Sequence, residues 1–309
     1  MTEKCVIATR GSKLALWQAE HVAGLLRKAH PDLDVSLLPL STKGDKILDV
    51  PLAKIGGKGL FVKEIEEALL DGRAQLAVHS LKDMPAEQPG GLTIGVVPER
   101  EDPKDMLLSV AYGALTDLPS GARVGTSSLR RKAQLLALRP DLTIVDLRGN
   151  LDTRLRRLTE GAFDAIVVAA AGCNRLGIGA PKMSPLAPPD FLPAAAQGAL
   201  GLEYRTDDKR TAKFVAFLEH PATRDAVTAE RAFLARLGGS CQVPVAVHAA
   251  VSEDCLCLDG LVAEVSGAAV YRDVILGKRT EAAELGRRLA ETVLAKGASS
   301  VLESISFDQ

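Results

Sequence analysis

The run Arg123-Val-Gly-Thr-Ser-Ser-Leu-Arg-Arg-Lys-Ala-Gln-Leu135 is followed by Asp146-Leu-Arg-Gly-Asn-Leu-Asp-Thr-Arg-Leu-Arg-Arg157, a concentration of cations in a chain of formal net charge -1. Such local charge calls for an anionic ligand. Thr126, Ser127 and Ser128 are good helix N-caps after the apolar Val124-Gly125, and Arg130 and Arg131 fall in the first turn of the helical pattern that follows. A helix start offers backbone N–H groups to an anion. The grammar repeats where Thr143 to Leu147 reads as a strand and Arg148-Gly149-Asn150 as the turn into a helix bearing Arg154. Two adjacent strand-to-helix turns thus converge on one negatively charged ligand.

Against this cationic set stands one conspicuous carboxylate, Asp83, in the polar turn Val78-His79-Ser80-Leu81-Lys82-Asp83-Met84-Pro85. Among so many cations it stays ionised, and its natural task is to face a cationic atom of an otherwise anionic substrate. Strand alternation turns His79 away from Ser80, which makes it the weaker catalytic candidate. In Gly238-Gly-Ser-Cys241-Gln-Val-Pro244, two glycines precede a thiol between a helix and a strand, leaving the sulfur in a loop. Cys255 and Cys257 share one strand face and read as packing residues. Without a second Cys-x-x-Cys or paired His, no metal is expected. Ile55-Gly-Gly-Lys-Gly-Leu-Phe61 lacks the spacing of a nucleotide phosphate loop. It reads as a mobile loop over a cleft, whose Lys54 and Lys58 reach the ligand as point charges.

The elements that position these residues alternate. Cys5 to Thr9 reads as strand, Ser12 to Lys28 as helix and Val35 to Leu40 as strand. Leu60 to Leu70 reads as helix with Glu64, Glu66 and Glu67 toward solvent, and Leu76 to His79 and Ile94 to Val97 as strands. This order implies the α/β class with a mostly parallel sheet. A second α/β set uses Met106 to Val110, Val124, Leu142 to Leu147 and Ala165 to Ala170. The polar segment Pro98 to Asp105 is a candidate crossing between domains. Pro181 to Pro193 holds five prolines and is expected to be irregular, a second crossing that returns the chain to the first domain. Beyond His220-Pro221, a helix, three strands with short turns and a final helix predict an α+β domain with a three-stranded antiparallel sheet. The expected division is 1–98 with 198–218, then 104–193, then 220–309.

In open α/β sheets ligands bind beyond the carboxyl ends of strands. Those positions hold Arg10, Ser12, Thr42, Lys43, Ser80, Lys82 and Asp83 in the first set. In the second they hold Thr126 to Ser128 with Arg130 and Arg131, then Arg148 and Asn150, then Arg175 beyond Gly172. With 309 residues, 47% hydrophobic and 4% aromatic, the chain is an ordinary globular protein with room for two or three domains. Balanced charge and few stacking side chains argue against nucleic acid. The first residues lack an export pattern and no apolar run suits a membrane, so a cytoplasmic protein with five free thiols is expected.

Seven ordered blocks resemble the porphobilinogen deaminase family over nearly the whole chain: Ala8 to Ala15, Lys58 to Glu64, Ala77 to Pro85, Gly125 to Arg131, Leu147 to Arg154, Gln197 to Gly201 and the Cys241 loop. The resemblance implies two α/β domains like those of type II periplasmic binding proteins and a third domain carrying a dipyrromethane cofactor on a Cys241 thioether. It implies loss of ammonia from porphobilinogen, stepwise growth of a chain, and release of the linear tetrapyrrole hydroxymethylbilane by water in tetrapyrrole biosynthesis. Cofactor contacts are then expected at Ser80, Lys82, Asp83, Thr126, Ser127, Ser128, Arg130, Arg131, Arg148 and Gly172. Substrate contacts are expected at Arg10, Ser12, Arg148, Asn150, Arg154, Arg175 and Gln197, with Asp83 as the catalytic group and a monomer as the working form. The chain departs from the family pattern at Cys173-Asn174 and at Ala196, where glycine is common. The competing reading is a non-catalytic small-anion-binding protein of the periplasmic-binding type, which has no need of Cys241.

Overall fold

The computed structural model describes residues 3–42, 44, 62–85, 88–238 and 243–307. Lys43, Lys54, Lys58 and Cys241 lie outside the described residues. The strands are β1 (Glu3–Arg10), β2 (Leu33–Leu40), β3 (Leu76–Ser80), β4 (Leu92–Val96), β5 (Asp105–Ser109), β6 (Arg123–Gly125), β7 (Thr143–Val145), β8 (Ala165–Ala169), β9 (Lys182–Leu186), β10 (Leu200–Arg205), β11 (Val245–Ser252), β12 (Cys255–Ala263) and β13 (Val270–Lys278).

They form three sheets, ordered β2-β1-β3-β10-β4, β7-β6-β8-β5-β9 and β11-β12-β13. The two five-stranded sheets share a plan. In each, three parallel strands are followed by one reversed strand, β10 or β5, and then by an edge strand antiparallel to it. The third sheet is antiparallel throughout and is covered by helices Pro221–Arg236 and Ala282–Val293, which share its core through Phe233, Leu285 and Leu289. The fold is α/β with a C-terminal α+β portion, as the element order predicts. By compactness the described residues form two units. The first comprises those up to Glu101 with Ala199–Arg224, and the second comprises Asp102–Gly198 with the segment from Asp225 onward.

In the first unit, the helix Lys13–Ala29 starts at Ser12, whose hydroxyl accepts from the Ala15 N–H at 3.3 Å. It buries Gln18, Ala19, Val22, Ala23 and Leu26, a stripe at helical spacing. That stripe packs on Cys5, Ile7, Leu76 and Val78, while Ala8 and Ala77 face Ile65 and Leu69 of the helix Lys63–Leu70. Alternation therefore buries both faces of the sheet, with each large apolar side chain contributing about 1.5–3 kcal/mol.

Two expectations are corrected. Pro181 to Pro193 is not wholly irregular, because Lys182–Leu186 forms the edge strand β9, in which Pro185 lies opposite Met106. An edge strand tolerates proline because only one side needs a ladder donor. The glutamates of Lys63–Leu70 do not all face solvent, for Glu66 is half-buried. Burial, followed by the negative charge of Glu203, pushes the Glu66 carboxyl up, with His79 opposing.

Candidate active site

In the first unit, Arg10 ends β1 and Ser80 ends β3, both at carboxyl ends of parallel strands. Ser80 exchanges hydrogen bonds with the Gln18 amide at 3.0 and 3.2 Å. His79 points to the other face, where its Nε2 lies 2.8 Å from the Glu203 carboxylate on β10. Both members are buried, which makes His79 a structural partner beneath the turn. Leu81–Asp83 then forms one 3-10 turn. The Leu81 N–H donates to the Ala199 carbonyl at 3.0 Å, and the Leu81 side chain, 1% exposed, is driven under the sheet against Gly201. With Leu81 and Met84 buried on either side, Lys82 is half-exposed and Asp83 exposed. The apolar flanks thus present the carboxylate from a fixed turn.

In the second unit, Ser128 caps the helix Leu129–Leu138 by accepting from the Arg131 N–H at 3.4 Å. The buried Thr126 hydroxyl accepts from the Ser128 N–H at 3.2 Å, and the exposed Ser127 hydroxyl donates to the Leu147 carbonyl at 3.1 Å. The second turn behaves as its sequence predicts. Asn150 is the N-cap residue of Leu151–Thr159, Arg148 is half-exposed, and Arg154 Nε donates to the Gly149 carbonyl at 2.8 Å. Gly172 is buried in Ala170–Leu176, and Arg175 Nη2 donates to the Gly198 carbonyl at 2.7 Å. Cys173, the departure from the family pattern, is buried beside Leu147 and Val168.

Arg130 and Arg131 are only 5% and 6% exposed. Both grip one buried carboxylate, Asp105, at the start of β5: Arg130 Nη1 at 2.7 Å and Arg131 Nη2 at 2.6 Å. Gln197 Nε2 donates to the same group at 2.9 Å. Burial alone would push the Asp105 carboxyl up, but the two guanidinium charges and their hydrogen bonds hold it well below the usual carboxylate range. Sequence reasoning missed Asp105, placing it at the end of a polar crossing. Its signal was a lone acid opening the apolar run Met106-Leu-Leu108.

Cys255 is exposed and Cys257 half-exposed, which corrects their reading as packing residues; the inward face of β12 belongs to Leu256 and Leu258. Among the described residues no group of three or more His, Cys, Asp or Glu could hold a metal. No helix among them is long and apolar enough to cross a membrane. A polar pocket of about 560 Å³ lined by Lys4, Gln75, Arg205, Asp207, Asp208, Arg210, Thr211 and Phe214 lies at the start of β1, the opposite end from Arg10.

Comparison with known proteins adds the family. Residues 5–213 match "Porphobilinogen deaminase, dipyromethane cofactor binding domain", and residues 225–295 match "Porphobilinogen deaminase, C-terminal domain". The chain is 58% identical over 308 residues to the porphobilinogen deaminase of Nitratidesulfovibrio vulgaris strain Miyazaki F, covering 98% of this chain and 97% of that one. It is 52% identical over 304 residues to the porphobilinogen deaminase of Lawsonia intracellularis, covering 98% of each. Among solved structures, the periplasmic aliphatic sulphonate binding protein SsuA of Escherichia coli aligns at a TM-score of 0.40 and 17% identity, over 76% of this chain and 70% of that one. With matches that span both α/β sheets and the C-terminal portion, the chain belongs to the porphobilinogen deaminase family.

Proposed function

We propose that the chain condenses porphobilinogen, with loss of ammonia, into the linear tetrapyrrole hydroxymethylbilane, acting as a transferase on a dipyrromethane held by Cys241. The observation that carries this reading is the exposed Asp83 carboxylate on a fixed turn at the carboxyl end of β3. A dipyrromethane presents several carboxylates, and the hydroxyl and guanidinium donors at the strand ends of the second unit are of the type that binds them. The residues therefore fit the group. Thr126, Ser127, Ser128, Arg130, Arg131, Arg148 and the Gly172 backbone would hold it, together with Ser80, Lys82 and Asp83. When bound, it supplies the nucleophilic pyrrole carbon from which the chain grows.

Asp83 acts where positive charge develops. As the C–N bond of the substrate's aminomethyl group breaks, ammonia departs with the electron pair and the pyrrole nitrogen becomes cationic. A fixed carboxylate stabilises that charge more than it stabilises the neutral pyrrole, which lowers the barrier. Arg10, Ser12, Arg148, Asn150, Arg154 and Arg175 bind acetate and propionate groups, each charge-assisted hydrogen bond contributing about 1.5–3 kcal/mol, while Gln197, its amide N–H groups spent on Asp105 and the Pro103 carbonyl, supports the arginines instead. Lys54 and Lys58 belong to the same reading as carboxylate-binding cations. The chain works as a cytoplasmic monomer, as the family resemblance implies, and without nucleic acid, a view supported by its charge balance and 4% aromatic content.

The test is the denatured intact mass of the purified protein beside that of a Cys241→Ala variant. A dipyrromethane increment present in the first and absent from the second is the expected result. A bare-chain mass in folded wild type that does not rise on addition of porphobilinogen would instead favour the anion-binding alternative.

A further inference from the structure

We propose that Asp105 is a positioning residue for the anion-binding arginines: it fixes the guanidinium groups of Arg130 and Arg131 and the amide of Gln197 in one arrangement, and their orientation toward a ligand carboxylate depends on it. The inference rests on the functional reading above and deepens it. Asp105 Oδ1 accepts from Arg131 Nε at 3.1 Å, Arg131 Nη2 at 2.6 Å and Gln197 Nε2 at 2.9 Å, while Oδ2 accepts from Arg130 Nη1 at 2.7 Å. Each arginine has a second anchor. Arg130 Nη1 donates to the Leu192 carbonyl at 2.7 Å, and Arg131 Nη1 donates to the Val167 carbonyl at 3.0 Å. A guanidinium held at two points by a carboxylate and a carbonyl has lost its rotational freedom, and its remaining N–H groups point in set directions.

Gln197 is fixed in turn. Its amide also donates to the Pro103 carbonyl at 2.7 Å, and the preceding Ala196 N–H donates to the buried Glu230 carboxylate at 2.6 Å. Ala196 adopts φ 58°, a left-handed conformation that this contact helps to hold.

The charge count explains why the cluster serves a ligand rather than stability alone. Among the described residues, two guanidinium groups meet one carboxylate, leaving one positive charge in excess among side chains that are 5%, 6% and 1% exposed. A buried charge without a counter-charge is costly, and a ligand carboxylate supplies the missing one. Asp105 thus neutralises half of the pair and aims the other half.

Full-length Asp105→Glu, which keeps the charge but moves the carboxylate outward by one methylene, and Asp105→Asn, which removes the charge, are compared with wild type. The measurements are cooperative thermal unfolding, denatured intact mass, and kcat and KM for porphobilinogen on the folded fraction. A displacement of this size is expected to lower kcat/KM of folded Asp105→Glu by about tenfold or more, with KM raised. The cofactor-bearing mass fraction should fall below that of wild type while unfolding stays cooperative, and Asp105→Asn should lose more of both. Wild-type KM and full cofactor mass in folded Asp105→Glu overturn the proposal. Activity loss that only tracks the folded fraction, or failure of both variants to fold, overturns it as well, since Asp105 would then serve folding alone. A wild type that neither carries the mass increment nor consumes porphobilinogen indicts the functional reading instead, which keeps the two failures distinct.

Discussion

Gly201→Ala tests how the Asp83 turn is held. A Cβ on Gly201 would contact Leu81 Cδ2, approach Leu81 Cγ to 2.9 Å and reach Ile94 Cγ2 at 3.1 Å. Leu81 cannot withdraw, because its side chain is 1% exposed and its N–H is bonded to the Ala199 carbonyl just before β10. Overpacking of a filled core costs about 2 kcal/mol, within a usual range of about 1–3. At about 2–4 °C per kcal/mol for a unit of this size, the unfolding midpoint should fall by about 4–8 °C. The strain also has a direction. Leu81 is the first residue of the turn that carries Lys82 and Asp83, so pushing it shifts the carboxylate, and kcat should drop by about tenfold or more in protein that is still folded. Gly24→Ala is the matched control. Apart from its chain neighbours and the backbone of its own helix turn, nothing lies within 4 Å of the added Cβ in the helix Lys13–Ala29, so the same change there should raise stability by about 0.5–1 kcal/mol and leave kcat alone. Thermal unfolding and steady-state turnover of both variants read these effects. An unchanged midpoint and kcat in Gly201→Ala would refute the view that close packing of Leu81 sets the turn.

Asp83→Asn should lower kcat by about 10²–10³ with a midpoint near wild type, since the side chain is exposed; turnover within about threefold of wild type would remove Asp83 from its role. The Asp105 cluster also predicts an acid dependence. Its folded carboxyl lies below the unfolded value, so its stabilisation is complete above about pH 4 and is lost as the pH falls toward the folded value. Urea midpoints of wild type and Asp105→Asn should therefore differ by a constant amount from neutral pH down to about pH 5 and converge below about pH 4, whereas a gap that widens on acidification would contradict the sign. Alkylation should sort the thiols. Burial pushes Cys5 up to about 11 and also raises Cys173, while Cys255 is exposed. Peptide mapping after native labelling should find Cys255 modified first and Cys5 and Cys173 only after unfolding, and early labelling of Cys5 would mean that the first sheet opens locally.

By itself the sequence determined the features that depend on near neighbours in the chain. Ser12 and Ser128 cap helices because a hydroxyl needs only an N–H three residues on. Ser80 and His79 face opposite ways because strand side chains alternate, whatever lies across the sheet. The strand and helix order, and with it the placing of Arg10, Asp83, Arg148 and Asn150 at strand ends, follows from periodicity. Tertiary structure decided what each charged group meets. Arg130 and Arg131 read as ligand-facing cations from the sequence, and only the tertiary structure shows that both are anchored on Asp105, 25 and 26 residues away in sequence. That pairing exists only because β5 is the one reversed strand in its sheet, and no local pattern encodes that direction. Pro185 in β9 and the half-buried Glu66 are of the same kind. Whether a proline is tolerated, or a carboxylate leaves solvent, depends on an edge position or on a buried neighbour such as Glu203 that distant segments supply.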